Sequence, residues 1–536
     1  MSENRMKNET CDNESKIDGL YGTAEWFITA ISVTLVFIVF EMQAYTIPTG
    51  SMADTLKGAH FRLRCAQCGY EFDYNFHSSR YRDIGVRENK TPSGDVDIRP
   101  ESPRCPNCGF YQDTKISDTF LKSGQIGPMP VMKGDRIFVA KCVYQFTDPK
   151  RWDVVVFKNP IDPRINYIKR MIGLPGEEIE IIDGDVYADG KIARKPDGVQ
   201  QELWMVVYDN DYQPARPEQK RFNGHAWSQP FVNDINEDGQ VSKWNLSAEG
   251  PAVFTLSSEP GQTNTIVYDT SVGNDFRATY AYDEPAAYPY MPICSDLMVR
   301  FFVEKNYDGF VGVDMSKYGR RYRGGVEGGL AGNMNSMVIA YYDDDGKIVE
   351  LARNAVNQGL DGKTILRFAN VDHQLVLEYG DQKLVYDLGE DPDSLGERKK
   401  VMPRVSIFGG GQIKLSHVGI FRDIHYIEQD RIRDSVTGDI IEEGTRAREG
   451  RPLKLEDDQF FVLGDNSPAS LDSRYWATSG LGNNKLKYRP GTVPRDYLVG
   501  KAFFVYWPGP FRPGDSDRFI RIIPNIEGMK IIKGGT

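Results

Sequence analysis

One long apolar stretch near the start of the chain constrains its fold more than any other feature. Residues 26–47 carry a single formal charge, Glu41, and about 20 apolar residues are enough for a helix to cross a bilayer. A buried helix and a cleaved signal peptide are the alternatives, but the preceding tail is acidic and no Ala-x-Ala exit follows. We therefore expect a disordered tail over residues 1–24 and a retained transmembrane anchor over residues 25–47.

Short β-rich runs begin near Met132 and return near Gln459. The runs RIFVAKCVY, RWDVVVFKN, YIKRMIGL and EEIEII are rich in β-branched and aromatic residues, and IIDGDVYADGKIA has Asp–Gly at both bends of a hairpin. Between them, residues 197–430 contain further strands at regular spacing, which is typical of an antiparallel sandwich. We predict a mainly β protein whose first β unit, residues 48–196 and 431–536, is interrupted by this jelly-roll-like insertion.

The charge balance excludes one class of partner. The chain of 536 residues has a formal net charge of -11 and only six histidines. General nucleic-acid binding requires a basic surface, so we expect no nucleic-acid partner. A metal centre built from histidines is also disfavoured by their small number.

Four of the seven cysteines form two CxxCG knuckles, Cys65 with Cys68 and Cys105 with Cys108. Thiolates at this spacing on tight turns can share one tetrahedral zinc ion. Two disulfides are the alternative if this part of the chain faces an oxidising compartment. We predict a zinc-ribbon-like module over residues 60–115, with zinc in a structural role because four cysteines leave no open position. No cofactor is expected for catalysis.

A serine follows the apolar stretch closely, as Ser51 in the run IPTGSM. A serine hydroxyl needs a base to accept its proton, and the chain has no GxSxG elbow. A lysine can act as that base where burial lowers its pKa. Lys169 has apolar neighbours in the strand-like run YIKRMIGL. The strand pattern alone favours a solvated and inert lysine at this position.

Four blocks of the chain resemble those of bacterial type I signal peptidases (leader peptidases), which are Ser–Lys membrane proteases. IPTGSMADTL resembles the nucleophile block, KGDRIFVAK the second block, YIKRMIGLPGE the lysine block and GDNSPASLDSRYW the closing block. They occur in the family's order, and the first follows the predicted anchor directly. The similar regions, residues 25–200 and 455–510, make up less than half of the chain, but four blocks in order are a specific signal.

The resemblance implies roles for the reacting groups. Ser51 would be the nucleophile, and Lys169 would be the general base and then the general acid toward the leaving amine. The main-chain N–H of Ser51 and the hydroxyl of Thr49 would form the oxyanion hole, which stabilises charge that appears in the transition state.

The resemblance also implies a supporting group of residues. Ser470 would hydrogen-bond Lys169 and direct it at the nucleophile. Asp472 and Arg474 would form a pair that contacts Arg170 and holds the closing loop in place. Support of this kind matters because a displacement of about 1 Å can cost about 100-fold in rate.

The chain departs from the family pattern at two positions. Asp54 stands where the family usually has proline, and Glu177 stands where it usually has aspartate. The first departure concerns the turn that follows the nucleophile. Neither departure removes a reacting group.

Exported preproteins are the substrates that the resemblance implies, cut after signal peptides with small residues at the first and third positions before the cut. It also implies a single-pass protein of the cytoplasmic membrane. The tail would then be cytoplasmic, the lipid bilayer a partner, and the catalytic domain extracytoplasmic. Basic residues flank the apolar stretch in equal numbers, so they do not decide its orientation.

The predicted insertion is similar to concanavalin-like jelly rolls, including laminin-G modules, in the runs LRFANVDHQLVLEYGDQKLVYD and KLSHVGIFRDIHY. That resemblance implies a glycan or a protein as ligand. An alternative function is a membrane-tethered binding protein in which the sandwich works and the protease core is inactive. A self-cleaving repressor would share the Ser–Lys chemistry, but the predicted anchor and the acidic charge balance disfavour it.

Overall fold

Alternating apolar residues and frequent Asp–Gly turns produce a chain that is mainly antiparallel β-sheet. The computed structural model describes residues 23–34, 41–76, 103–112, 131–160, 162–221, 224–235, 239–247, 252–259, 261–282, 291–328, 335–356, 362–389, 399–428, 432–433, 440–441, 446–482, 485, 487–508 and 526–535.

The strands are short and numerous. In chain order they are β1 (Met42–Thr46), β2 (His60–Arg64), β3 (Glu71–Asn75), β4 (Val131–Met132), β5 (Arg136–Ala140), β6 (Val154–Lys158), β7 (Asn166–Gly173), β8 (Glu178–Ile182), β9 (Asp185–Ala188), β10 (Lys191–Ile192), β11 (Met205–Asp209), β12 (Phe231–Asn233), β13 (Val253–Ser257), β14 (Asn264–Tyr268), β15 (Leu297–Lys305), β16 (Phe310–Lys317), β17 (Arg320–Glu327), β18 (Ser336–Tyr342), β19 (Ile348–Ala355), β20 (Thr364–Val371), β21 (Gln374–Tyr379), β22 (Gln382–Asp387), β23 (Val405–Gly410), β24 (Gln412–Arg422), β25 (Ile432–Arg433), β26 (Ile440–Ile441), β27 (Leu453–Lys454), β28 (Gln459–Leu463), β29 (Val493–Pro494), β30 (Leu498–Trp507) and β31 (Lys530–Ile531).

Helices contribute little to the architecture. The α-helical segments are residues 23–34, Val143–Phe146 and Asp197–Leu203, and single 3-10 turns occupy Ser467–Ala469, Arg495–Tyr497 and Ile526–Gly528.

The first sheet combines strands from both ends of the chain, in the order β1-β5-β30-β6-β7-β28-β29, with β31 beside β30. Strand β28 pairs with β7 with Phe461 opposite Gly173 and Val462 opposite Met171. Strand β28, which begins at Gln459, therefore belongs to the same sheet as β5, β6 and β7, and the predicted division into an interrupted β unit and an insertion stays a prediction. The predicted Asp–Gly hairpin is also present, because β8 pairs with β9 in a second sheet of order β10-β9-β8-β27.

Two seven-stranded sheets, which we call the two-sheet unit, lie between β10 and β27 in the chain. One has the order β11-β24-β15-β20-β21-β22 with β13 also on β24, and the other has the order β12-β14-β23-β16-β17-β18-β19. Buried side chains of both sheets, among them Phe254, Val299, Val313, Ile339 and Leu377, belong to one hydrophobic cluster. Burial of this shared apolar surface is the main force that holds the sheets together. The predicted likeness to a jelly roll stays a prediction.

A buried set of charges joins the first β unit to the two-sheet unit, and we call it the junction cluster. Its members are Asp185, Lys195, Asp296, Lys317, Asp372 and Asp423. Lys195, which follows β10, pairs with Asp372 and lies 2.8 Å from Asp423. Lys317 of the two-sheet unit pairs with Asp296 and lies 4.0 Å from Asp185 on β9. Each unit thus supplies a cation to the other's carboxylates.

The predicted anchor over residues 25–47 is wrong at its C-terminal end. Residues 42–46 form β1, which pairs with β5 with Gln43 opposite Val139, and Ile47 is buried in the core beside this sheet. Periodicity alone does not separate a short apolar strand from a helix, and here the open edge of β5 decides. None of the helices in the described part of the chain has the length and hydropathy needed to span a bilayer. Most of the predicted tail, residues 1–22, lies outside the described residues.

Candidate active site

The loop that connects β1 to β2 carries Ser51 on a tight turn. The N–H of Ala53 donates to Gly50 O at 3.0 Å, and the N–H of Leu56 donates to Met52 O at 2.8 Å. The side chains of Met52 and Leu56 are fully buried in the core of the first sheet. Two apolar anchors that follow the serine therefore hold it against the sheet.

Strand β7 brings Lys169 to this serine. The register places Lys169 opposite Val155 of β6, and its Nζ donates to Ser51 Oγ at 2.7 Å and to Ile168 O at 3.1 Å. Ser51 is 6% exposed and Lys169 is 4% exposed. The ring of Tyr167 lies 5.6 Å from the amine. The hydroxyl and the amine, separated by 118 residues in the chain, are within proton-transfer distance and screened from water.

The loop after β28 fastens the serine's main chain. The N–H of Asn466 donates to Ser51 O at 3.1 Å, and its Nδ2 donates to Gly50 O at 3.0 Å. Asn466 is fully buried. Asn466 is not among the predicted site residues, although it lies in the closing block GDNSPASLDSRYW. The resemblance of that block to the family was the signal that could have identified it.

Ser470 lies close to the main chain of Ser51 but does not make the predicted hydrogen bond to Lys169. Its hydroxyl is fully buried and has no hydrogen-bond partner among the described residues. A Cβ added at Gly464 would lie 2.1 Å from Ser470 Oγ and 2.4 Å from Ser51 O. The loop therefore packs Ser470 against Gly464, and Gly464 in turn against the main chain of Ser51.

Asp472 and Arg474 form a buried, bidentate ion pair. Arg474 Nε donates to Asp472 Oδ1 at 2.9 Å, and its terminal nitrogen donates to Oδ2 at 2.8 Å. Arg474 also donates to Ile427 O at 2.7 Å and to Ser467 Oγ at 2.8 Å. The N–H of Gly464 donates to Asp472 Oδ2 at 3.0 Å. The pair thus fixes the loop at the glycine that touches the serine.

Arg170 takes a different partner from the one predicted. It forms a bidentate pair with Asp465, with distances of 2.8 and 2.7 Å, and both side chains are fully buried. Burial alone would lower the pKa of Arg170, but the Asp465 carboxylate raises the pKa above its ordinary value. The two arginine–aspartate pairs are therefore separate, and both brace the closing loop.

Thr49 and the two divergent positions are all near the turn or the lysine strand. Thr49 is half-buried, two residues before Ser51. Asp54 lines an adjoining cavity. Glu177 pairs with Arg151 at 2.6 Å and accepts the N–H of Leu174 at 2.7 Å. Glu177 therefore closes the turn after β7, the position at which the family usually has aspartate.

The four predicted zinc ligands lie together. Cys65 Sγ is 3.7 Å from Cys108 Sγ, Cys68 Sγ is 3.6 Å from Cys105 Sγ, and all four sulfurs lie within 4.8 Å of one another. A tetrahedron with Zn–S bonds of about 2.3 Å has edges of about 3.8 Å, whereas a disulfide bond is about 2.05 Å long. The sulfur positions fit a zinc ion better than they fit two disulfides.

The conformation of each CxxCG turn explains why a glycine follows its second cysteine. The N–H of Gly69 donates to Cys65 O at 2.9 Å and that of Gly109 donates to Cys105 O at 3.0 Å. Their φ angles are +76° and +71°, a conformation that glycine adopts without steric cost. Each turn directs its two sulfurs toward the same point, and Gln112 Nε2 donates to Cys65 Sγ at 3.2 Å.

The cysteine module also contacts the loop between β1 and β2, which we call the nucleophile loop after the sequence block that it carries. Asp73 on β3 pairs with Lys57 of that loop and with Arg62 at 3.1 Å, and it lies 3.5 Å from His60. Burial raises the pKa of Asp73, but Lys57, His60 and Arg62 together lower the pKa to about 2. The N–H of Phe76 donates to Ala59 O at 3.0 Å. The module therefore packs against the loop that carries Ser51.

Comparisons with known proteins identify the family. The family described as signal peptidase, peptidase S26, matches residues 125–235 and 396–507. A probable signal peptidase I-2 of Synechocystis sp. is 30% identical over 172 residues, which are 25% of this chain and 78% of the relative. The chain belongs to the signal peptidase I family. A signal peptidase I of Rickettsia massiliae is 30% identical over 182 residues, 34% of this chain and 48% of that relative.

The family likeness covers only part of each protein. The chain spans about half the length of the first curated relatives that it matches. Among solved structures, the CBM2 module of the evolved Dit of Lactobacillus casei BL23 phage J-1 has a TM-score of 0.26 at 12% identity, covering 41% of this chain and 96% of that chain. At this score the likeness supports no inference about the fold or a ligand.

Proposed function

We propose that the chain is a membrane-anchored serine endopeptidase that cleaves signal peptides from exported preproteins. Ser51 is the nucleophile, and Lys169 is its general base. The observation that carries the proposal is the 2.7 Å separation of Lys169 Nζ and Ser51 Oγ in a buried setting. Membership of the signal peptidase I family supports the substrate class.

The reaction follows from that geometry. The neutral amine of Lys169 takes the proton of the Ser51 hydroxyl as Oγ attacks the scissile carbonyl carbon. The resulting ammonium gives its proton to the leaving amine when the C–N bond breaks, which leaves an acyl ester on Ser51. The mature protein leaves with that amine. Water then attacks the ester, Lys169 accepts a proton from the water, and the proton returns to Ser51 Oγ as the acyl bond breaks and the signal peptide is released.

Charge on the carbonyl oxygen needs donors that are already in position. The main-chain N–H of Ser51 and the hydroxyl of Thr49 are the proposed oxyanion hole. The two hydrogen bonds from Asn466 to the carbonyl groups of Gly50 and Ser51 support this assignment, because they fix the main chain at the proposed donor. Removing one such donor typically costs about 100- to 1000-fold in kcat.

The remaining predicted residues are positioning residues. Ser470 is proposed to hydrogen-bond the lysine during the reaction, when the amine carries its extra proton. Its buried hydroxyl, which has no partner in the described part of the chain, supports this role. Asp472 and Arg474 hold the loop that carries Ser470 and Gly464.

The membrane location is proposed from the N-terminal helix. Residues 23–34 present large apolar side chains to the outside, with Trp26 75%, Phe27 62%, Ile28 64% and Val33 64% exposed. Apolar groups at such exposure suit a lipid environment. We propose that the N-terminal apolar stretch, of which this helix is the described part, anchors the chain in the cytoplasmic membrane as a single pass, with the β units on the extracytoplasmic side.

The test compares three variants on a preprotein substrate. Ser51→Ala and Lys169→Ala should each reduce kcat by at least about a thousandfold, as loss of a nucleophile or its base does in serine proteases. Lys158→Ala is the matched control, because Lys158 lies on the neighbouring strand β6 and outside the dyad. Normal turnover by either dyad variant would overturn the proposal. Binding of preproteins without cleavage by the unmodified chain would favour the alternative of an inactive protease core.

A further inference from the structure

A cavity of about 900 Å³ opens beside the nucleophile loop. Asp54 and Lys57 of that loop line one side of it. Asp54 is three residues from Ser51, so their Cα atoms are at most about 11 Å apart. Arg104 of the cysteine module and Arg277 of the two-sheet unit line other sides. The cysteine module and the two-sheet unit therefore form walls of a cavity next to the loop that carries Ser51.

A second cavity, of about 470 Å³, continues the first across one sheet of the two-sheet unit. It lies over β15, β20 and β21, where Arg300, Arg367 and Glu378 line it. Trp204 and Phe421 line both cavities, so the two spaces meet at these rings. We call the combined space the trough. It leads from the nucleophile loop onto the sheet face.

The lining of the trough is polar and locally basic. Nine basic and seven acidic side chains line the two cavities, whereas the whole chain has a formal net charge of -11. Several of these side chains pair with one another, among them Arg277 with Asp275, Arg367 with Glu378 and Lys383 with Asp197. An apolar signal segment would desolvate such charged groups and offer no hydrogen bond in return, which is unfavourable. The guanidinium of Arg300 lies 4.4 Å from the ring centroid of Phe421. Together with the ring of Trp204, this pair offers a stacking surface that suits the side chains and amide planes of an extended polar peptide.

We propose that the trough binds the mature part of the preprotein, the polar segment that follows the cleavage site, as an extended chain. This inference rests on the proposed peptidase function and deepens it. The excess of basic groups favours mature segments that carry acidic side chains. The cysteine module and the two-sheet unit, which lie outside the reacting groups, thereby select among preproteins.

The experiment compares two preproteins with the same signal peptide and cleavage site. One keeps only a few residues after the site, and the other keeps several tens of residues with acidic side chains. The full chain should show a lower KM for the longer substrate and a similar kcat for both. Trp204→Ala and Arg300→Ala should each raise the KM of the longer substrate by about tenfold, the loss typical of an aromatic or arginine contact, and leave the shorter one unchanged.

Two controls keep the result interpretable. Arg321→Ala removes an arginine that lies 3.3 Å from the ring centroid of Tyr342, on the other sheet and outside the trough, and should change neither KM. Trp204→Phe keeps an aromatic ring and should restore most of the affinity. The proposal that the trough binds the mature segment would be overturned by equal KM values for the two substrates with the unmodified chain. It would also be overturned by variants that change the KM of both substrates equally. Failure to cleave either substrate would overturn the peptidase function itself, and the trough with it.

Discussion

The main chain of Gly464 approaches the main chain of Ser51 closely, and this contact holds the proposed catalytic serine in place. No side chain fits there, because an added Cβ would lie 2.4 Å from Ser51 O and 2.1 Å from Ser470 Oγ. Two neighbours in the same loop complete the arrangement, since Asn466 bonds the serine's carbonyl and Asp472 accepts the N–H of Gly464. The loop therefore transmits any change at one glycine directly to the nucleophile.

Gly464→Ala should lower kcat on a preprotein by about 100-fold, the effect expected of a displacement of about 1 Å at a reacting group. The chain should still fold, because the clash is confined to one loop. Gly198→Ala is the control, since its Cβ would meet only the flexible side chain of Lys533, at 3.3 Å. Steady-state kinetics measure the change in kcat, and thermal unfolding shows whether the variant still folds. A normal kcat for Gly464→Ala with unchanged unfolding would contradict this account.

At the scale of elements, the cysteine module is a pair of turns on a three-stranded sheet, β3-β2-β4. So small a unit has little apolar surface to bury, and a metal ion commonly supplies the missing stability. Asp73 and Phe76 of the module contact the nucleophile loop. Loss of the module's structure should therefore also disturb the candidate active site. The sulfur spacing fits a zinc ion, and we propose that zinc is this stabilising group.

Purified protein should therefore contain about one zinc ion per chain, and denaturation with a chelator should release four reactive thiols from the module. Cys105→Ser should reduce zinc content and lower the unfolding temperature, because a structural site loses a ligand. Cys142→Ser, which changes a thiol outside the cluster, serves as the matched control. Absence of zinc together with absence of those thiols would instead establish disulfides.

At the scale of the whole molecule, the junction cluster ties the first β unit to the two-sheet unit. Lys195 and Lys317 are both buried, and each pairs with carboxylates across the boundary. Burial raises the pKa of Asp423 to about 6, despite the nearby charge of Lys195, which acts to lower it. The ordinary pKa of this carboxyl group is 3.8. Between pH 3.8 and about pH 6, the folded chain therefore holds a proton on Asp423 that the unfolded chain has already lost.

The free energy of unfolding should therefore carry a contribution from Asp423 that is complete below about pH 4 and lost as the pH rises to about 6. This difference corresponds to about 3 kcal/mol. Asp423→Asn cannot titrate, so its unfolding free energy should fall less steeply over that window. Urea unfolding at several pH values measures the slope. Asp387→Asn, at a side chain that is 54% exposed, should keep the original slope, and equal slopes in all three proteins would refute the assignment.

The sequence by itself determined the features that depend on near neighbours or on matched blocks. β-branched alternation and Asp–Gly bends set the strands and the β8–β9 hairpin, because local backbone preferences act within a few residues. The ordered blocks identified Ser51 and Lys169 as candidates, and the CxxCG spacing brought four cysteines into consideration. Each of these signals can be read without knowing which distant segments meet.

Only the tertiary structure decided the partners that come from far along the chain. Residues 42–46 became a strand because the edge of β5 was open, although their sequence extends the apolar stretch. Arg170 pairs with Asp465, 295 residues away, instead of contacting Asp472 and Arg474. The roles of Gly464 and Asn466 likewise depend on where β28 docks against β7. Contacts between distant segments form only when sheets and cores assemble, and local sequence preferences carry no information about which segments will meet.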